Sequence, residues 1–177
     1  MNIIDLSRKL SHGMTVYPGD PEVSIERVHT YEEHSWELRK MSFGSHTGTH
    51  VDAFSHMHPG SATLDEIPLE RFMGTAVVVR AEDPWPEGVG LFFLEPVDES
   101  QLERILSHHP GFVGGPLTEP LERALLGEGV VTYTNLVNLD LIPPGILFTF
   151  IGLPLSIQGG DGSPVRAVAI LSEKGAS

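Results

Sequence analysis

Five side chains able to hold a cation or move a proton, His46, His50, Asp52, His56 and His58, fall within residues 46–58. An even scatter of the chain's nine histidines over 177 positions would place about 0.7 in such a window, so four is a real enrichment. A helix would make His46 and His50 neighbours, but Gly48 and the β-branched Thr47, Thr49 and Val51 disfavour that conformation. A strand suits them better. Its alternation predicts His46, Gly48, His50 and Asp52 on one face, with Gly48 leaving a gap between two imidazoles where an ion fits. Two nitrogens and one carboxylate oxygen suit zinc, manganese or ferrous iron. Three protein ligands also leave coordination positions open for water or substrate, as in catalytic rather than structural sites. Pro59 and Gly60 announce a turn, which puts His56 and His58 on a loop passing over the ion. His58 is the weaker site residue of the two, and His12, His29, His34, His108 and His109 read as ordinary polar positions.

The flanking segments supply the elements that must position this cluster. Residues 23–31 and 37–43 alternate apolar and polar side chains, which predicts two strands leading into it. The turn Tyr17-Pro18-Gly19-Asp20 precedes them, and residues 3–7 read as a short opening strand. The β-branched run 75–81 has the composition of a buried central strand. Residues 98–108 read as a helix capped by Asp98 and ended by Pro110 and Gly111. A second helix is predicted over 118–126, with Thr118 as cap, Pro120 in the first turn and Gly127 as terminator. Strands return at 130–134, 146–151 and 165–171, separated by turns at 143–145 and 159–162. The balance is α/β with more strand than helix, in one domain over residues 1–177.

Composition excludes several function classes. The formal charge is −13, and eleven scattered basic residues cannot neutralise phosphates, so nucleic acid and anionic membrane are not expected partners. No run approaches the ~18 apolar residues of a membrane span, and the opening residues lack the basic start and apolar stretch of a signal peptide. A cytoplasmic setting is expected. With no cysteine, any metal must be held by histidine, aspartate or glutamate.

The segment His46-Thr47-Gly48-Thr49-His50-Val51-Asp52-Ala53-Phe54-Ser55-His56 resembles the signature H-x-G-T-H-x-D-x-P-x-H of the cyclase family that includes bacterial kynurenine formamidase and isatin hydrolase. It departs from that signature only at Phe54, where proline is usual. Residues 16–20, 135–140, 153–155 and 161–167 also match the family's habits, so the resemblance spans nearly the whole chain. It implies a single swivelling β/β/α domain assembled as a homodimer or homotetramer. It further implies a metal-dependent hydrolase or cyclase acting on a small amide, lactam or lactone, arylformamidase-like, with metal-bound water as nucleophile. By position, His46, His50 and Asp52 match the ligands of the first metal, His56 the residue that shuttles protons, and Tyr17 an aromatic position lining the substrate pocket. Phe54 and Trp36 join Tyr17 as candidates for a pocket that takes something flat.

The departures weigh on the second metal. Glu122 and Thr134 stand where the family carries a histidine and a glutamate, and residues 111–118 are shorter than the usual segment. A neutral hydroxyl is a poor ligand for a hard divalent ion. Glu122 can reach the site from its helix, but a first-turn glutamate also has a plain role facing the positive end of the dipole. The cofactor expected is therefore one divalent ion, zinc or manganese, with the second site degenerate. Two classes remain: a single-metal hydrolase, and a non-catalytic relative that keeps the pocket to bind a metal or small molecule. Intact His46, His50, Asp52 and His56 favour the enzyme.

Overall fold

The run Ala76-Val77-Val78-Val79 is buried on both faces, as its composition predicts, and the layers of the molecule are built on it. The computed structural model describes residues 2–172. In chain order the elements are β1 (Asn2–Asp5), β2 (Ser24–His29), α1 (Tyr31–His34), β3 (Leu38–Ser42), β4 (His50–Asp52), β5 (Met73–Val79), β6 (Gly90–Phe93), α2 (Leu102–Ser107), β7 (Phe112–Gly114), α3 (Glu119–Gly127), β8 (Val131–Thr134), β9 (Leu147–Ile151), β10 (Gly162–Pro164) and β11 (Val168–Leu171). Nine strands form one sheet in the order β1-β11-β9-β5-β6-β7-β8-β4-β10, while β2 and β3 pair separately. The β5–β6, β6–β7 and β7–β8 ladders are parallel, and the flanking ones antiparallel.

Each face of the sheet has its own core. On one, Val77, Val79, Leu91, Phe93 and Val113 pack against Ile105 of α2 and Leu121 and Leu125 of α3. These helices lie in the connections β6–β7 and β7–β8, which the parallel pairing requires to be long. On the other face Phe92, Phe112, Tyr133, Phe148 and Phe150 fill the space enclosed by the curled sheet, Phe92 and Phe150 with ring centres 4.7 Å apart. The fully buried Tyr133 is satisfied because its hydroxyl lies 3.1 Å from the Phe72 carbonyl and 3.0 Å from that of Gly152. This strand–strand–helix layering is the mixed α/β architecture expected of a swivelling β/β/α domain.

Local expectations hold with instructive exceptions. The predicted helix 98–108 opens as a 3₁₀ turn, Glu99–Gln101, before α2, and Asp98 caps that turn, accepting from the Ser100 amide at 3.0 Å. Thr118 precedes α3 but makes no side-chain cap; its hydroxyl donates to Glu99 instead. The predicted strand 165–171 is strand only from Val168 on, as β11; residues 165–167 are irregular, and the short β10 precedes them, beginning at the end of the predicted 159–162 turn. No helix among the described residues is long and apolar enough to cross a membrane.

Candidate metal centre and substrate cleft

Strand β4 is three residues long and sits between β8 and β10, with His50 opposite Thr134 and Pro164, and Asp52 opposite Thr132 and Gly162. Alternation sends Val51 into the aromatic core and His50 and Asp52 to the other side. The strand does not extend back to His46, contrary to the alternation read from the sequence. His46 stands in a turn, and Gly48 has φ +66°, a left-handed conformation that breaks the extended run. A Cβ at Gly48 would also come within 2.7 Å of Leu10 Cδ2. Gly48 therefore turns the chain and admits Leu10; it does not space two imidazoles along a strand. The His46 ring instead folds back over Gly162, where a Cβ would meet its Cε1 at 2.3 Å.

This route still brings the predicted groups together. Asp52 is 2% exposed, and its Oδ1 lies 2.8 Å from His46 Nδ1 and 3.6 Å from His50 Nε2. Its Oδ2 accepts from the Thr132 hydroxyl at 2.9 Å. Burial opposes ionisation of Asp52, yet the His46 hydrogen bond, the charges of His50 and His46 and the Thr132 hydroxyl hold its carboxyl below the usual range. For His46, burial works against the charged ring, but hydrogen bonds to Asp52 and Asp161 outweigh it and push the imidazole up to about 9. Burial keeps His50 below the ordinary histidine value. Its Nδ1 donates to the Gly48 carbonyl at 2.8 Å, which leaves the Nε2 lone pair turned toward Asp52.

His56 ends a 3₁₀ turn over Phe54–His56, its ring centre 3.8 Å from that of His46. His46, Asp52 and His56 each offer a ligand atom within 4.8 Å of the others. His58 takes the plain role: its Nε2 donates to the Arg123 carbonyl at 2.7 Å and ties the loop to α3.

A cleft of about 790 Å³ opens over these groups, lined also by Tyr17, Arg8, Glu122 and Thr134. Tyr17 is 70% exposed, on a turn closed by the Asp20 amide donating to its carbonyl at 3.0 Å. Phe54 packs against the aromatic core instead, and Trp36 lies on the β2–β3 arm, donating to His29 Nδ1 at 2.9 Å; neither lines the cleft. Thr134 donates to Glu122 Oε1 at 3.0 Å, so the two residues that the resemblance aligns with second-metal ligands are bonded to each other. Burial, aided by the charge of Asp52, pushes the Glu122 carboxyl up to about 7.

Two residues of the site escape the sequence reading. Thr132 has the look of an ordinary strand residue, and Asp161 belongs to a stretch that reads as a turn and matches the family's habits without pointing to a role at the site. Only the pairing of β4 with β8 and β10 brings them to the histidines.

Comparison with known proteins agrees with this architecture. Residues 4–110 match the family model described as putative cyclase. A kynurenine formamidase of Salinibacter ruber is 31% identical, covering 95% of this chain and 97% of the relative, and one of Bacillus thuringiensis is 28% identical over 93% and 95%. Among solved structures, isatin hydrolase A from Labrenzia aggregata, bound to benzyl benzoate, superposes with a TM-score of 0.81 at 24% identity, covering 97% of this chain and 94% of that one. A protein described as a potential metal-dependent hydrolase with cyclase activity gives 0.79, also at 24% identity, over 97% and 98%. The structural likenesses establish the fold. The family-model match and the near full-length formamidase match establish that the chain belongs to the cyclase family of hydrolases.

Proposed function

We propose that the cleft hydrolyses a small amide, lactam or lactone in arylformamidase-like fashion. In this reading His46, His50 and Asp52 hold one divalent ion, His56 is the general acid and base, and Tyr17 borders the substrate. The observation that carries it is the convergence of two imidazoles on one buried carboxylate at 2.8 and 3.6 Å, with a third imidazole alongside. The residues fit a cation. Buried Asp52 has no Lys or Arg partner among the described residues and draws its positive charge from His46, 2.8 Å away and pushed up to about 9; a divalent cation would supply that charge in place of the imidazole proton. The nitrogen and oxygen donors, with no thiolate available, suit zinc or manganese. The Thr134–Glu122 hydrogen bond supports a single ion, since it engages the side chains that a second one would need.

Such an ion supplies Lewis acidity, easing the ionisation of water toward neutral pH and polarising a carbonyl. The chain's own residues do the rest. His56 accepts the proton of the attacking water as its oxygen bonds to the carbonyl carbon. It returns that proton to the leaving nitrogen or oxygen as the scissile bond breaks. The formamidase names of the relatives support an aryl amide as substrate class. Exposed Tyr31, Trp36, Leu38 and Met41 on the β2–β3 arm support a homodimer or homotetramer.

One observation favours a second assignment, with His56 as a ligand, because it falls within the same 4.8 Å group as His46 and Asp52. Metal content after chelator-free purification, with turnover of N-formylkynurenine and isatin under added Mn²⁺ or Zn²⁺, separates the readings. Substitution of His46, His50 or Asp52 by alanine is expected to abolish metal retention. His56→Ala should retain the ion and lose about 10²–10⁴-fold in kcat. Unchanged turnover in His56→Ala overturns its catalytic role, and loss of metal in that variant makes it a ligand. Metal bound with no turnover of any aryl amide, lactam or lactone leaves the non-catalytic relative.

A further inference from the structure

We propose that Asp161, on the connection between β9 and β10, is a positioning residue of the metal centre: it fixes which nitrogen His46 presents to the ion. The inference rests on reading the cleft as a metal site.

An imidazole that ligates a metal gives its other ring N–H to a carboxylate, carbonyl or water, which sets both tautomer and ring orientation. His50 does this with the Gly48 carbonyl. For His46, Nδ1 is directed at Asp52, and Nε2 lies 2.9 Å from Asp161 Oδ2. Without metal both ring N–H groups of His46 donate, Nδ1 to Asp52 and Nε2 to Asp161; Asp161 keeps the Nε2 proton in place, so that Nδ1, on the side of the buried carboxylate, is the nitrogen that gives up its proton to a cation. The same Oδ2 lies 3.6 Å from His56 Nδ1, beyond direct hydrogen-bond range, so one carboxylate stands beside both rings and bonds only His46.

The backbone holds Asp161 to this task. Its carbonyl accepts from the Ala53 amide at 2.9 Å, directly after Asp52, and the preceding Gly160 carbonyl accepts from the Leu64 amide at 2.8 Å. The Ser45 side chain also bonds its carboxylate, and Gly162 leaves room for the His46 ring. An acid that only decorated a surface turn would need none of these ties.

The test is competition of each full-length protein with a chromophoric chelator for Zn²⁺ and Mn²⁺, alongside melting curves of the metal-free forms. Asp161→Ala should weaken metal binding about 10–100-fold, whereas Asp161→Asn, whose amide oxygen still accepts from Nε2–H, should stay within a few-fold of wild type. The metal-free melting curves read the stability lost with the Asp161–His46 hydrogen bond, so that the change in metal affinity is scored separately from it. Wild-type affinity in Asp161→Ala overturns the proposal and leaves the metal site standing. Equal weakening in the asparagine variant overturns it as well, because net charge and not the hydrogen bond would then be at work. A wild type that binds neither ion overturns both the site and this inference.

Discussion

Glu122 shares its cleft with Asp52, and its own burial first, then the charge of Asp52, oppose its ionisation. Its carboxyl titrates at about 7 in the fold against an ordinary 4.5. A group raised in this way contributes stability that is complete below about 4.5 and is lost as pH rises through about 7. His46, raised from 6.5 to about 9, follows the same sign over a higher window. Buried, neutral His50 has the opposite sign below about 6.5, so metal-free protein should melt progressively lower from about pH 6.5 to 8, and between pH 5 and 7 the Glu122→Gln profile should fall less than that of wild type, as read by melting curves in chelator. An equal slope in both proteins would deny Glu122 its burial penalty. At this scale the sequence was legible where chemistry is local. His46, His50, Asp52 and His56 stand out by type and spacing within eleven residues. Asp161 and Thr132 do not, because 109 and 80 residues separate them from Asp52 and only strand pairing brings them to it.

Three residues of β4 carry the site between two ladders, and the glycine before it sets the angle of entry. Gly48→Ala would force a side chain into a left-handed backbone, costing about 1–2 kcal/mol, and would press on Leu10 at 2.7 Å. We expect that variant to lose at least this much stability in urea unfolding with chelator present. It should also bind metal more weakly, since the same turn delivers His46; full metal affinity would show that the turn and the ring are independent. Most elements were readable from periodicity and end signals. Asp98 with residues 98–108, the run 75–81 and the pair 24–29 and 38–42 all follow local rules. The strand assignment of 46–49 failed because alternation in sequence cannot reveal a positive φ, and Thr118 failed as a cap because Glu99, nineteen residues away, competes for its hydroxyl.

For the molecule as a whole, bound metal is a stabilising ligand as well as a chemical tool. At a free ion concentration of about 100 times Kd, binding adds about 2.7 kcal/mol, or roughly 5–10 °C in melting temperature for a chain of this size. His50→Ala should thus melt lower than wild type in Mn²⁺ or Zn²⁺ and match it in EDTA; equal gaps in both buffers would make His50 a packing residue alone. Strand order was the part no local pattern could supply, since it depends on which distant segments complete each other's hydrogen bonds. One consequence follows from the order itself. The first and last strands, β1 and β11, are direct antiparallel neighbours, with Asn2 facing Leu171. The polypeptide thus closes nearly into a ring, and a circular permutant opened at the exposed Pro143-Pro144-Gly145 bend would retain every pairing that surrounds the histidines.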